Sequence, residues 1–241
     1  MTPDAESILR HLQAVEDERD KRRATPGLES WVAAVKTYQQ QRFTRTYSDL
    51  LQSTRYAPAA RFFLDELYGP GDFSRRDAQF ARVVPALVRL FPREIIGTVA
   101  VLGELHALSE ALDTQMGIHL GSQSIDAKRY VLAWRQVGQA VARERQIALT
   151  LRVGATLDRL TRKPMLRRAL HLMRGPARTS GLAELQHFLE SGFDTFQAMG
   201  GADDFLLTVG QRERRLAEAL FTVRVDPDAA QVFETLPEDL P

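Results

Sequence analysis

The chain contains no cysteine, which excludes disulfides, thiol nucleophiles, iron–sulfur clusters and cysteine-ligated zinc. Lysine is nearly absent as well. Lys21, Lys36, Lys128 and Lys163 are the whole set, so arginine carries almost all the positive charge. No apolar run approaches the roughly 18 residues of a membrane span. The opening MTPDAESILRHLQAVEDERD is acidic and amphipathic, without a basic segment followed by an apolar one, and the location it predicts is cytoplasmic. Several motifs are missing too. There is no HExxH, no GxSxG, no GxxxxGK[ST] and no GxGxxG, which removes zincins, α/β-hydrolase elbows, P-loops and dinucleotide folds.

What is present is an ordinary globular composition, 44% hydrophobic and 26% charged over 241 residues. That length supports a sizeable core. The net charge of +1 conceals a strong asymmetry. Residues 127–178 hold thirteen Lys and Arg against only Glu144 and Asp158, and residues 179–241 hold twelve acids against four arginines. A basic block of this kind marks an anionic partner, or else a surface that packs beside the acidic C-terminal third.

Apolar positions recur every three to four residues throughout, and no run alternates with period two. The fold class predicted is all-α, a multi-helix bundle or orthogonal array of about nine or ten helices. The spacing predicts helices over 4–23, 28–53, 57–68, 75–90 with Pro85 inside, 93–113, 125–151, 154–162, 164–174, 180–198 and 202–223. Ser74 and Asp77 read as a carboxylate variant of a capping box. Gly175-Pro176 reads as a break. Residues 1–27 form an N-terminal amphipathic helix and linker, 28–225 a single helical domain, and 226–241 an acidic tail with Val232 and Phe233 as docking side chains.

The most distinctive stretch is RYAPAARFFLDELYGPGDFSRRD, Arg55 to Asp77. Phe62, Phe63, Leu64, Leu67 and Tyr68 cover more than one side of a helix, which predicts burial on most of its circumference. The charges around them read as a polar pocket built from Arg55, Tyr56, Glu66, Arg76 and Asp77, or as an ion-paired junction that fixes helix angles. The segment Phe62-Phe63-Leu64-Asp65-Glu66-Leu67-Tyr68 resembles the bacterial family named for an FFLEELY motif, with Asp65 where the motif has Glu. Arg55-Tyr56 and Arg76-Asp77 fit the same pattern. The resemblance implies a bacterial helical protein of a family with no assigned activity.

Other side chains suggest narrower chemistry. His106 sits in the most apolar segment, IIGTVAVLGELHAL, and is the one haem-ligand candidate, although a histidine on an apolar face also serves as a satisfied core residue. Glu184-Leu185-Gln186-His187 is a single Glu-x-x-His, half of what a di-iron site requires. His119, in the glycine-flanked MGIHLGS, is a candidate anion ligand in a loop before a helix. Arg159, Arg162, Arg167 and Arg168 are candidates for an anion or nucleic acid, on two basic amphipathic helices that lack base-reading residues. No catalytic residue, metal or cofactor is indicated. The leading reading is a non-enzymatic protein that acts by binding a protein partner or itself. The alternatives are a small-molecule or haem-binding sensor or enzyme, and a nucleic-acid binder acting through 127–178.

Overall fold

The computed structural model describes residues 5–66, 69 and 71–222. Among the described residues the chain forms eleven α-helices and no strand. They are α1 (Ala5–Ala24), α2 (Leu28–Thr46), α3 (Ser48–Gln52), α4 (Ala57–Glu66), α5 (Ser74–Leu90), α6 (Arg93–Leu120), α7 (Ala127–Val137), α8 (Ala140–Thr161), α9 (Pro164–Thr179), α10 (Ala183–Met199) and α11 (Asp203–Thr222). The expected tail from 226, with Val232 and Phe233, lies outside the described residues, as do Leu67 and Tyr68 of the aromatic motif.

Helix α6 is the hub. The helices α1, α2, α7 and α8 lie along it, and α1 makes the most extensive of these contacts. Ile8, Leu12 and Val15 of α1 are buried one to two turns apart, the face that the periodicity predicts. A second layer gathers on α8, which packs against α11, α10 and α9, while α10 reaches across to α4 and α5. The core divides into four apolar clusters. One joins α2, α6, α7 and α11 through Val35, Tyr38, Met116, Trp134 and Leu220. One joins α2, α3, α4, α10 and α11 around Tyr47, Phe63, Phe196 and Phe205. The other two lie between α1, α5 and α6, and between α6 and α8.

By length and composition α6 is the one described helix that could cross a membrane, a property hidden in the sequence by Glu104 and Glu110 inside its apolar stretch. In the fold α1, α2, α7 and α8 pack along it, and 28% of its apolar window is buried.

Several expected boundaries move. The second predicted helix is interrupted at Tyr47, whose backbone leaves helical geometry (φ −116°, ψ 26°) while its ring is fully buried. The sixth is cut at Gly138 and Gln139, both at positive φ (64° and 57°), so α7 closes on a glycine C-cap. Asp126, rather than Ser124, caps α7 by accepting from the Arg129 N–H at 2.8 Å. The break expected at 152–154 is absent. So is the loop expected at Met116–Ser122, because α6 runs on through Gly117 to Leu120. These mid-helix glycines mark close approach instead of chain reversal. A β-carbon on Gly117 would lie 2.6 Å from Val32 Cγ2, and one on Gly154 would lie 2.5 Å from Leu206 Cδ2. Gly175-Pro176 does not end α9 either. A glycine before proline has no β-carbon to clash with the proline ring, so helical geometry survives there.

Alanine is a better intrinsic helix former than glycine by about 1 kcal/mol, so a Gly117→Ala change on an uncrowded face would stabilise. Here it must displace a β-branched neighbour on α2. The expected outcome is a net loss of about 1–3 kcal/mol in chemical denaturation; a gain would show that α2 and α6 do not meet this closely.

Candidate functional site

Where α4, α5, α6, α8 and α10 converge, the clusters leave a cavity of about 160 Å³. One side is aromatic, formed by Phe62, Phe63, Phe73, Phe80, Phe188 and Phe196. Phe62 stacks on Phe188 with ring centroids 5.6 Å apart and meets Phe63 edge-on at 6.5 Å. The lining also carries polar groups. His106, Ser109, Glu110 and Asp113 project from α6, Gln146 and Thr150 from α8, and Arg76 and Asp77 from α5.

The polar wall is built from paired charges. Asp77 is buried, and its Oδ2 accepts from Arg19 Nη2 at 2.6 Å and lies 2.9 Å from His106 Nε2. Burial alone would raise the Asp77 pKa, but His106 and Arg19 outweigh it and hold the carboxyl below its ordinary range. An ionised carboxylate only accepts, so the His106 Nε2 that faces Asp77 carries a proton. One turn further along, Glu110 is clamped by two cations. Its Oε2 accepts from Arg22 Nη1 and its Oε1 from Lys36 Nζ, both at 2.6 Å. Arg22 also donates to the Glu110 carbonyl (2.7 Å) and to Thr114 Oγ1 (2.9 Å). Burial opposes ionisation of Glu110, yet Lys36 and Arg22 pull its pKa down to about 2. Asp113 is different. It is fully enclosed, burial raises its pKa, and its closest partner is the amide of Gln39, which donates to Oδ1 at 3.1 Å.

Arg76 closes the wall. Its guanidinium lies between two rings, 4.2 Å from the Phe73 centroid and 4.3 Å from that of Phe188. Its Nη1 donates to the Glu66 carbonyl at 3.2 Å and to Glu66 Oε2 at 3.3 Å. Burial lowers its pKa despite the nearby Asp77 and Glu66.

The sequence-predicted residues therefore separate into groups. Glu66 and Arg76 meet, and Arg76 and Asp77 both line the cavity. Asp77 is not a capping-box partner of Ser74; Asp72 Oδ1 accepts the Ser74 N–H at 2.9 Å, and Asp77 faces inward. Arg55 and Tyr56 lie elsewhere. Arg55 donates to the carbonyls of Met199 (2.9 Å) and Gly201 (3.0 Å), and Tyr56 packs on Phe205, so this pair fastens the α10–α11 corner. His119 is exposed in the last turn of α6, at the helix end that repels anions, and is not in an anion-holding loop. His106 has its Nε2 on Asp77, and the cavity is below the roughly 300–1,000 Å³ of pockets for larger ligands, so the geometry does not favour a porphyrin there.

Much of the basic block is internally paired. Arg162 meets Asp158 at 2.6 Å, Arg159 lies 3.8 Å from Glu94, Lys163 reaches Glu94 at 2.6 Å, and Arg167 and Arg174 meet Asp194 and Glu190 at 3.3 and 2.6 Å. Arg168 is exposed, with no ion partner among the described residues.

Sequence reasoning missed Arg19, Arg22, Lys36, Gln39, Glu110, Asp113 and Gln146. A signal for some of them was present. His106, Glu110 and Asp113 are spaced i, i+4, i+7, one face of the most apolar helix, and a polar face there requires buried partners.

Ser109 follows His106 by one turn, but its hydroxyl accepts from Gln146 Nε2 at 2.8 Å, and no hydrogen bond joins Ser109 to His106 among the described residues. Nucleophilic catalysis would need that link.

A family model described as a domain of unknown function, DUF8198, matches residues 18–227. The chain belongs to this family. Comparison with curated proteins and with solved structures finds no match. The matched span includes every residue of the polar wall and the aromatic face.

Because the Glu110 pKa is depressed in the fold, its stabilising effect is complete above the ordinary value of 4.5 and is lost as pH falls towards about 2. Glu110→Gln removes the anion at every pH and leaves Arg22 and Lys36 buried together. The expected loss at neutral pH is about 3–5 kcal/mol. Urea titrations at several pH values should also show a shallower fall in stability below pH 4.5 than the parent shows; an unchanged slope would mean that the clamp is not formed.

Proposed function

We propose that this protein binds a small, largely apolar molecule in the cavity between α4, α5, α6, α8 and α10. The observation that carries this reading is the cavity itself, about 160 Å³, lined by both aromatic rings and hydrogen-bonding groups. A void of about 150 Å³ lined by apolar side chains is large enough for benzene. The arrangement of a few polar groups against an apolar wall is that of small-molecule sites in general. The absence of a Ser109–His106 hydrogen bond favours a binding protein or sensor over a hydrolase. Membership in a family that carries the FFLEELY motif, and a bacterial source, are part of the same proposal; the support is Phe62 to Glu66, whose aromatic pair forms the cavity wall.

A protein-partner reading has its own observation. Helix α9 contains no acid, and it exposes Met165 and Leu172 at 81% and 79% with Arg168 between them. Exposed apolar side chains flanked by cations suit an acidic partner. Met165→Ser with Leu172→Ser should leave the melting temperature unchanged and abolish any partner captured by the parent; retained capture would remove this reading.

For the cavity, a neutral probe decides. Benzyl alcohol or toluene at 100 times its Kd should stabilise the protein by about 2.7 kcal/mol. Val153→Phe, which fills the cavity from α8, should fold and lose that response. If neither probe raises the melting temperature of the parent, the binding reading fails.

A further inference from the structure

We infer that the cavity selects a small monocarboxylate, with its carboxylate on Arg76 and a body of benzene-like size against Phe62, Phe188 and Phe196. This inference rests on the ligand-binding reading above and adds the chemical class of the ligand.

The charges that face the cavity can be taken one at a time. Asp77 is answered by Arg19 and His106, and Glu110 by Arg22 and Lys36. Asp113 is enclosed, and burial favours its neutral form. Asp77 and Glu110 are thereby answered by cations, and Asp113 lies against the Gln39 amide.

Among the described residues, two cations besides His106 line the cavity: Lys36 is held by Glu110 through a salt bridge, and Arg76 keeps a whole edge of its guanidinium unbonded. Glu66 occupies only its Nη1, at 3.2 and 3.3 Å, and Nε and Nη2 make no hydrogen bond among the described residues. The side chain is nonetheless only 13% exposed. A guanidinium held flat between Phe73 and Phe188 cannot swing out to bulk water without leaving both rings. Its unused Nε and Nη2 form one edge of the fork that matches a carboxylate with two parallel hydrogen bonds.

The rest of the wall restricts the body attached to the head group. The surface around Arg76 is aromatic, and a tetrahedral dianion such as phosphate would find Arg76 already shared with Glu66 and Lys36 already paired with Glu110. A planar monoanion needs no more than that edge. The volume admits a six-carbon ring or a short branched chain and little else. Ser109, Gln146 and Thr150 also line the cavity and add hydrogen-bonding groups for a polar substituent.

The test compares isosteres on the full chain by calorimetry at neutral pH, with benzoate, benzyl alcohol and benzylamine as probes. Charge-assisted hydrogen bonding should make benzoate bind about tenfold or more tighter than benzyl alcohol, with benzylamine weakest. Arg76→Gln should bring benzoate down to the affinity of benzyl alcohol while leaving benzyl alcohol unchanged. Arg76→Lys, which keeps the charge and loses the fork, should fall between them and serves if the glutamine variant does not fold. Binding of benzyl alcohol equal to or tighter than that of benzoate would overturn the carboxylate assignment and leave the binding reading intact. Absence of binding by all three probes would overturn both.

Discussion

The structure depends on one buried carboxylate. Glu110 sits in the middle of the most apolar helix, its side chain 6% exposed, and accepts from a cation on each of the two helices that precede it around the hub. Apolar contact between α1, α2 and α6 would tolerate sliding, because dispersion and burial are not directional. The Arg22–Glu110–Lys36 bridge does not tolerate it. A shift of one turn on either neighbour would leave a charge buried and unpaired, at a cost of several kcal/mol. The sequence therefore uses hydrophobic periodicity to bring these helices together and a single acid to fix their register.

That register positions the site. With α1 locked on α6, Arg19 lies three residues before Arg22 on the same face, where it reaches Asp77 and draws α5 in beside His106. The motif helix α4 then meets α10 through Phe62 and Phe188, and Arg76 from α5 is caught between Phe188 and Phe73. The cavity is the space that this arrangement does not fill. Its polar wall comes from helices held by ion pairs, and its aromatic wall from helices held by ring contacts. The two sides are thus stabilised by different forces, and the void lies at their boundary.

The fold class was legible because a 3.6-residue apolar period survives in nearly every segment. The helix boundaries were less so, for an identifiable reason. Glycine is read as a breaker, but Gly117 and Gly154 are small because Val32 and Leu206 press against them. A single sequence does not distinguish a glycine needed for a turn from one needed for contact. Tyr47 interrupts a helix with no breaker at all, because its ring is needed in the core beside Phe43. In the site, the Glu66–Arg76 pair lay within reach of local spacing, and Arg76 and Asp77, adjacent in sequence, both line the cavity. Arg55 and Tyr56 were drawn in by proximity along the chain and in fact secure a corner formed by α10 and α11. Partners separated by 58 to 92 residues, such as Arg19 with Asp77 or Arg22 with Thr114, leave no local signature.

The charge asymmetry obeys the same logic. A block of thirteen cations suggests a polyanion when counted along the chain. In space, Glu94 and Glu104 from the N-terminal half and Asp194 and Glu190 from the acidic C-terminal third each take one or more of those cations. Exposed pairs of this kind stabilise only slightly, by about 0–1 kcal/mol each. What they do is lower the field that a nucleic acid would feel, and they fix which helix lies beside which. The cations along the two polyanion-candidate helices are thereby mostly committed to orientation. Arg76, outside the block and between two rings, retains two unbonded donors on a side chain that is 13% exposed. By that measure the site of interest is marked by how incompletely a charge is answered, and the local density of charge is a poor guide to it.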